Sequence, residues 1–106
     1  MSIRPMTLTD YDAVLALWQS SPGVGLSDAD SPAAIARFLE RNPGLCFVAV
    51  EEGQLAGAVL CGHDSRRGYL YHLAVHPRYR RRGLGQALAQ RCIEALRALD
   101  IHKCHI

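Results

Sequence analysis

The sequence predicts a mixed α/β domain with the element order β-α-α-β-β-β-α-β. Apolar residues recur at helical spacing in two segments near the start and in one near the end, which indicates three amphipathic helices. Between them lie three apolar runs separated by short polar turns, a pattern typical of buried strands. The chain has 106 residues, which suits one domain, 1–106, and leaves no room for a second.

The first two elements are a short strand and a helix. The proline within residues 3–6 favours a strand at the edge or the end of a sheet. Thr7 precedes Asp10 by three positions, as in a capping box at the start of a helix. The apolar stripe of the helix that follows comprises Tyr11, Val14, Leu15 and Trp18.

A polar linker over residues 20–30 joins this helix to a second one, and its composition indicates a mobile segment. Ser31 and Pro32 then form a helix-start signal, with serine as the cap and proline in the first turn. The Asn-Pro-Gly sequence at 42–44 ends that helix. Its buried face is expected to comprise Ile35, Phe38 and Leu39.

Strands make up the middle of the chain. Residues 45–50 form a continuous apolar run, which is typical of a strand covered on both faces. Glu52 and Gly53 are a tight-turn signal, so residues 54–61 are expected to pair with the first run as a hairpin. After a polar turn, a third strand is predicted over residues 69–75.

A long amphipathic helix and a last strand complete the order. Apolar residues recur at helical spacing from the glycine-rich loop to about residue 99, and the composition of this stretch also favours helix. Residues 101–106 then begin a fifth apolar strand. The buried face of the helix is expected to comprise Leu84, Leu88, Cys92, Leu96 and Leu99.

The composition points to a cytoplasmic protein with no membrane partner. No apolar run approaches the roughly 20 residues that a membrane span needs. Residues 1–5 lack the apolar stretch of a secretory signal. The cysteines are widely spaced and include no Cys-x-x-Cys pair, so buried reduced thiols are expected rather than disulfides. They are Cys46, Cys61, Cys92 and Cys104.

No metal site is expected, although Cys104 has His102 and His105 close to it in the sequence. Adjacent residues on a strand point to opposite faces of the sheet, so these side chains would not converge. A structural metal site needs converging ligands, and the chain offers no matching second pair.

Positive charge is concentrated in one loop, although the net charge of the chain is only +2. Four arginines precede a Gly-Leu-Gly sequence at the junction between a predicted strand and a predicted helix. The first turn of a helix offers unpaired N–H groups and the positive end of the helix dipole. Glycines let an anion come close to those groups, so the loop predicts a pyrophosphate site. The arginines are Arg78, Arg80, Arg81 and Arg82.

Other phosphate-binding and nucleic-acid-binding modes do not fit this loop. The six-residue glycine pattern of dinucleotide folds is absent, and so is the lysine followed by serine or threonine of a phosphate loop. A nucleic-acid module usually adds exposed aromatic residues or a broad basic surface. Tyr79 is the sole aromatic residue in the cluster and the overall charge is near neutral, so no nucleic-acid partner is expected.

The loop and its surroundings resemble a known family. Arg80-x-x-Gly83-x-Gly85 matches the Arg/Gln-x-x-Gly-x-Gly/Ala signature of the GCN5-related N-acetyltransferases (GNAT). The Gly-His-Asp-Ser-Arg-Arg-Gly run at 62–68 and the Tyr-His-Leu-Ala-Val run at 71–75 resemble a bacterial branch of small, single-domain members. The resemblance covers the whole chain. It implies a GNAT-like acyl-CoA N-acyltransferase fold, with a mixed, mostly antiparallel sheet and flanking helices.

The resemblance implies transfer of an acetyl group from acetyl-CoA, as co-substrate, to a primary amine by direct attack. Backbone amides of the loop would hold the coenzyme pyrophosphate, and the strand before the loop would pair with the pantetheine arm. That strand commonly carries a bulge, where a free N–H can polarise the thioester carbonyl. The residues implied to bind the co-substrate are Leu73, Ala74, Val75, Arg80, Arg81, Arg82, Gly83, Leu84, Gly85 and Gln86.

The catalytic residues are less directly marked. Family members often place a carboxylate on the strand before the loop, where this sequence has Tyr69, Tyr71 and His72. Histidine titrates near neutrality, so His72 is a candidate base; its alternative role is that of a hydrogen-bonded strand histidine. Tyr71 lies beside it. Asp64 is a candidate for amine binding or proton relay, and its alternative role is turn formation.

The acceptor is expected to be a small-molecule or peptide amine. The linker over residues 26–30 should lie beside the acceptor site if the fold is that of the family. The acidity of Asp28 and Asp30 suits a cationic acceptor, such as a polyamine-like amine, an amino acid or a peptide N-terminus.

The family's domain continues beyond its fifth strand, so the chain is expected to be the N-terminal portion of a GNAT domain, truncated at that strand. An unfinished sheet exposes a strand edge, which a second copy of the chain could cover in a homodimer. The alternative function is therefore a non-catalytic acyl-CoA-binding or dimerisation domain that lacks the second half of the site.

Overall fold

The computed structural model describes all 106 residues and has the predicted order of elements. The helix over Pro32–Arg41 begins as the sequence predicts, because Ser31 Oγ accepts the Ala34 N–H at 3.2 Å. The strands and helices are β1 Ser2–Pro5, α1 Tyr11–Gln19, α2 Pro32–Arg41, β2 Phe47–Glu51, β3 Gln54–His63, β4 Gly68–Val75, α3 Leu84–Ala98 and β5 Cys104–His105.

The five strands form one sheet in the order β1-β2-β3-β4-β5. The first three neighbouring pairs are antiparallel, and β4 and β5 are parallel. The parallel pair follows from α3, because a helix that crosses over the sheet returns the chain in the same direction. The sheet is therefore mixed and mostly antiparallel, as the resemblance implies.

Helices cover both faces of the sheet, which explains why the central strands read as continuous apolar runs. On one face α3 buries Leu88, Cys92 and Leu96 against the strands. On the other face α1 and α2 bury Val14, Trp18 and Ile35.

The linker between α1 and α2 differs from its prediction as a mobile segment. Residues Asp28–Asp30 form a short 3-10 turn, and the Asp30 side chain is buried. The turn is closed at its start because the Ser27 N–H donates to Asp30 Oδ2 at 3.0 Å. The end of the linker is thus anchored to the domain, although its composition is polar.

The helix α3 ends close to the predicted residue 99, whereas the fifth strand is shorter than predicted. The helix α3 ends at Ala98, which leaves Leu99 about half exposed. The fifth strand covers only Cys104–His105, because Ile101 turns into the core before the chain becomes extended.

The cysteines are free thiols, and three of them are fully buried. Cys104 differs from its prediction, because it is only partly buried next to the short β5. Burial raises the pKa of the Cys46 thiol to about 12, so this side chain is a neutral core residue at physiological pH.

Gly68, at the start of β4, is required for close packing between the sheet and α3. A Cβ at this position would overlap Leu96 Cδ1, and Leu96 is itself fully buried. We expect Gly68→Ala to lower the free energy of unfolding by about 1–3 kcal/mol, because overpacked cores must distort. Urea denaturation measures this loss. Gly25→Ala is the control, since a Cβ there meets no atom within 4 Å; equal losses in both variants would contradict the packing argument.

Candidate active site

A bulge in β4 lies at the centre of the candidate site. Ala58 of β3 pairs with Ala74 and Leu60 pairs with Tyr71, so β4 has one residue more than β3 in this interval. His72 lies inside the bulge with φ at +52°. Histidine is one of the few non-glycine residues enriched in this left-handed region. The register therefore shows the bulge that the family resemblance implies.

His72 is held at three points. Its Nε2 lies 2.9 Å from Asp30 Oδ1, and its backbone carbonyl accepts the Trp18 Nε1–H at 3.0 Å. The Trp18 ring also packs edge-on against the imidazole, with centroids 4.9 Å apart. A non-glycine residue in a sparsely populated backbone region costs about 1–3 kcal/mol and persists only where its surroundings fix it. The three contacts provide that fixation.

Asp30 lies at the site, as the position of the linker predicts, but its carboxylate is bound to His72 instead of being free for a cationic acceptor. The Asp30 side chain reaches His72 from a position 42 residues earlier in the chain. Its own carbonyl accepts the buried Tyr11 hydroxyl at 2.6 Å, so the backbone is fixed as well. The Ser27-x-x-Asp30 capping box was the sequence signal for an ordered turn here.

Two cavities meet at His72. One of about 280 Å³ lies between the linker, α2 and β4, and Asp30, Phe38 and Tyr71 are among its lining residues. The other, of about 430 Å³, is bordered by Leu73 and by linker residues 22–24. A side chain at this junction can contact ligands in either cavity.

The other two candidate residues differ in position. Tyr71 borders the first cavity beside His72 and packs edge-on against Phe38 at 6.1 Å. Burial raises the pKa of its phenol, so Tyr71 stays protonated and can donate a hydrogen bond. Asp64 lies at the exposed β3–β4 turn, beside a neighbouring cavity that Tyr71 also borders. The structure thus brings His72 and Tyr71 together and places Asp64 apart from them.

The Asp64 carboxylate takes part in the turn. Its Oδ1 accepts the N–H groups of Arg66 and Arg67 at 2.9 and 2.8 Å. These backbone N–H groups hold the pKa of Asp64 below its ordinary value, the Arg67 N–H most of all. A carboxylate stabilised in its ionised form is a weak proton acceptor, although it keeps a negative charge at the surface.

The glycine-rich loop ends in a helix start that suits an anion. Gly83 caps α3 with φ at +75°, and a Cβ there would meet no atom within 4 Å. The first hydrogen bond of the helix joins the Ala87 N–H to Gly83 O at 3.0 Å. The N–H groups of Leu84, Gly85 and Gln86 therefore have no partner in the helix. Open space above such N–H groups fits a phosphate.

The arginines of the loop are exposed, but one of them is tied to β4. Arg80 Nε donates to the Val75 carbonyl at 3.1 Å, which connects the loop to the end of the strand. Arg81 has φ at +63°, and Arg82 packs over the Tyr79 ring at 5.6 Å. No carboxylate lies within ion-pair distance of these arginines, so their charge is available to an anionic ligand.

The edge of β4 next to this loop has backbone groups that pair with no other strand. The strand pairs with β5 only at Gly68 and Tyr69. The backbone groups of Ala74 face β3, because Ala74 pairs with Ala58. Two residues further on, the His76 N–H also faces β3 and donates to the Ala56 carbonyl. Neighbouring residues alternate in direction, so the backbone groups of Leu73 and Val75 face away from β3. Of the three predicted strand residues, Leu73 and Val75 can pair with a ligand, and Val75 does so through its N–H because its carbonyl accepts Arg80 Nε.

The comparison with known proteins decides the family. The model of the Acetyltransferase (GNAT) family matches residues 11–106. The chain belongs to the GNAT acetyltransferase family. It is therefore an acetyl-CoA-dependent N-acetyltransferase, as the signature predicts, and acetyl-CoA is its co-substrate. The loop, the helix start and the free edge of β4 are the parts of the structure that fit the coenzyme.

The relatives that this chain matches are longer than the chain itself. It is 36% identical to an acetyltransferase of Pectobacterium atrosepticum, over all of this chain and 74% of that protein. It is 37% identical to an acetyltransferase of Photorhabdus laumondii, over 86% of this chain and 63% of that protein. The chain thus spans about two thirds to three quarters of the length of these GNAT relatives.

Solved structures share the fold. Ard1 from Thermoplasma volcanium matches 94% of this chain, which covers 66% of Ard1, with a TM-score of 0.80 and 22% identity. A Mycobacterium tuberculosis protein solved in complex with CoA matches 95% of this chain and is covered over 60% of its own length, with a TM-score of 0.78 and 20% identity. At these identities the likeness concerns the GNAT fold alone.

None of the helices of this chain has the length and apolar character of a membrane span.

Proposed function

We propose that this GNAT domain transfers the acetyl group of acetyl-CoA to a primary amine by direct attack, with His72 as the base. One observation carries the proposal. His72 lies in the β4 bulge, where a cavity on the linker side meets the strand edge that leads to the glycine-rich loop. An acceptor in this cavity and a co-substrate along the strand edge can therefore both reach the same side chain.

The coenzyme is held by backbone groups rather than by a dedicated charged pocket. The amides from Arg81 to Gln86 bind the pyrophosphate, and Arg81 and Arg82 add positive charge. Backbone groups of Leu73 and the N–H of Val75 pair with the pantetheine arm in the manner of an added strand. Arg80 acts through its bond to the Val75 carbonyl, which keeps the loop and the strand edge in register.

The chemistry needs one proton acceptor. The amine nitrogen forms the new bond to the acetyl carbon, and the bond between that carbon and sulfur breaks, so the thiolate leaves with the coenzyme. His72 takes the proton that the attacking nitrogen loses, and this proton is later returned to the thiolate through solvent. Tyr71 stays protonated and lines the same cavity as His72, where it donates a hydrogen bond to the acceptor.

Direct attack can be tested by kinetics, because both substrates must be bound together. We expect initial-velocity lines that intersect when the amine is varied at several acetyl-CoA concentrations. A chain incubated with radiolabelled acetyl-CoA alone should keep no label after denaturation. Parallel lines together with a labelled chain would show an acetylated enzyme and contradict direct attack.

The acceptor class proposed is a cationic amine, such as a polyamine-like amine, an amino acid or a peptide N-terminus. Asp28 is exposed in the 3-10 turn next to the linker-side cavity, and Asp64 adds charge at the neighbouring cavity. Asp30 does not contribute directly, since its carboxylate is bound to His72 and the Ser27 N–H. The acidic residues at the surface thus attract the acceptor, and the buried one serves the base.

We expect Asp28→Asn to raise KM for cationic amines about two- to fivefold, since an exposed ion pair contributes up to about 1 kcal/mol. The effect should shrink as salt is added, because ions screen exposed charges. Steady-state kinetics with several amines measures both. Asp12→Asn, on the exposed side of α1, is the matched control. An unchanged KM for every active amine would refute this account of acceptor selection.

A further inference from the structure

We infer that Asp30 is a positioning residue, which holds His72 in the tautomer with hydrogen on Nε2 and so leaves Nδ1 free to accept the acceptor's proton. The inference rests on the proposed function, because it assigns the atom of His72 that acts as the base. It concerns a contact between the α1–α2 linker and the β4 bulge that no sequence motif marks.

The hydrogen bonds of the Asp30 carboxylate define the direction of donation. Oδ2 accepts the Ser27 N–H at 3.0 Å, and Oδ1 lies 2.9 Å from His72 Nε2. An ionised carboxylate can only accept hydrogen bonds. Nε2 must therefore carry the hydrogen, and in a neutral imidazole the lone pair is then on Nδ1.

Nδ1 is the nitrogen without a partner in the protein. The ring makes one hydrogen bond, through Nε2, and its edge contact is with Trp18. The His72 side chain is about one fifth exposed and borders both cavities. Because Nε2 is engaged by Asp30, Nδ1 is the ring nitrogen left to accept a proton from an amine bound at these cavities.

The position of the ring is fixed as firmly as its tautomer. The Trp18 N–H binds the His72 carbonyl, which holds the bulge, and the Asp30 carboxylate holds the far end of the imidazole. Asp30 is in turn fixed through its carbonyl by the buried Tyr11 hydroxyl. A flip of the ring would put Cε1 in the place of Nε2 and break the hydrogen bond to Asp30, so this bond keeps the ring in one orientation. The arrangement follows the logic by which a buried aspartate orients a catalytic histidine in hydrolases.

Asp30→Asn is the informative variant, because it keeps the shape and reverses one hydrogen bond. The Ser27 N–H needs an acceptor, so the new amide must turn its oxygen toward Ser27 and its NH₂ toward His72. An NH₂ group can only donate to Nε2, which moves the ring hydrogen to Nδ1. We expect kcat to fall by about 10²- to 10⁴-fold, since the base nitrogen is then blocked. KM for acetyl-CoA should stay unchanged.

Nitrogen-15 NMR of the imidazole, run on the folded wild type and on the variant, reads the tautomer directly. We expect the Nε2–H form in the wild type and the Nδ1–H form in Asp30→Asn. Asp12→Asn, remote from His72, should keep the wild-type spectrum and kcat. A wild-type ring with hydrogen on Nδ1 would overturn the inference, even if the variant does not fold. A loss of kcat without a change of tautomer would also overturn it, since Asp30 would then only support the fold.

The same experiment separates the inference from the proposed function. A wild type that shows the Nε2–H form but acetylates no amine would refute the proposed function and leave the positioning by Asp30 supported. A wild type that acetylates amines while carrying the Nδ1–H form would refute the positioning by Asp30 and leave the proposed function supported.

Discussion

Replacing His72 with asparagine should lower kcat by roughly 10²- to 10⁴-fold, the usual contribution of a positioned general base. Asparagine tolerates the left-handed backbone of the bulge, so the substitution removes the imidazole with little added strain. The co-substrate contacts lie on the backbone of Leu73 and Val75 and in the loop. KM for acetyl-CoA should therefore stay close to that of the wild type. Steady-state release of the coenzyme thiol measures both constants.

His102→Asn is the matched control for this variant. His102 is exposed and makes its one side-chain hydrogen bond to Asp100, at 2.8 Å. It should keep the wild-type kcat. Thermal unfolding of both variants separates a loss of chemistry from a loss of fold, since His72→Asn also removes the partner of the buried Asp30. A folded His72→Asn variant with wild-type kcat would mean that His72 is only a structural strand histidine.

Gly83→Glu should abolish measurable binding of acetyl-CoA. The new side chain would occupy the open space in front of the free N–H groups of α3 and would place a negative charge next to the pyrophosphate. Two like charges about 4 Å apart repel by about 4 kcal/mol near a protein surface, which corresponds to roughly a thousandfold loss of affinity. Calorimetric titration of the purified chain with acetyl-CoA measures this loss.

Gly44→Glu supplies the control for the backbone effect. Gly44 has φ at +74°, close to the +75° of Gly83, and a Cβ there also meets no atom within 4 Å. Both variants therefore carry the same charge and similar backbone strain, but Gly44 lies after α2, away from the loop. Gly44→Glu should bind acetyl-CoA like the wild type. Equal binding by the two variants would place the coenzyme elsewhere.

The parts of the site that are continuous in sequence could be predicted from it. Arg80, Gly83 and Gly85 form a local signature whose chemistry follows from a loop that leads into a helix. The helices and strands were predictable for the same reason, because their periodicity is local. The strand β5 was predicted too long, since the run at 101–106 does not reveal that Ile101 belongs to the core.

The contact between Asp30 and His72 could not be predicted in this way. It joins a polar linker to a strand bulge across 42 residues, and neither segment contains a sequence feature that indicates the other as its partner. The polar composition of the linker indicated mobility, whereas a buried hydrogen-bonded carboxylate anchors it to the domain. Which residue of β4 takes the left-handed conformation also depends on the register between β3 and β4, which is a tertiary property. In the structure this residue is His72.

The most direct test of the account is to mix the purified chain with acetyl-CoA, with and without a panel of primary amines, and to measure free coenzyme thiol and acetylated product together. We expect thiol release that requires an amine, with one acetylated amine formed for each thiol. Saturable binding of acetyl-CoA with no release in the presence of any amine would contradict it, and the chain would then act as a non-catalytic acyl-CoA-binding domain.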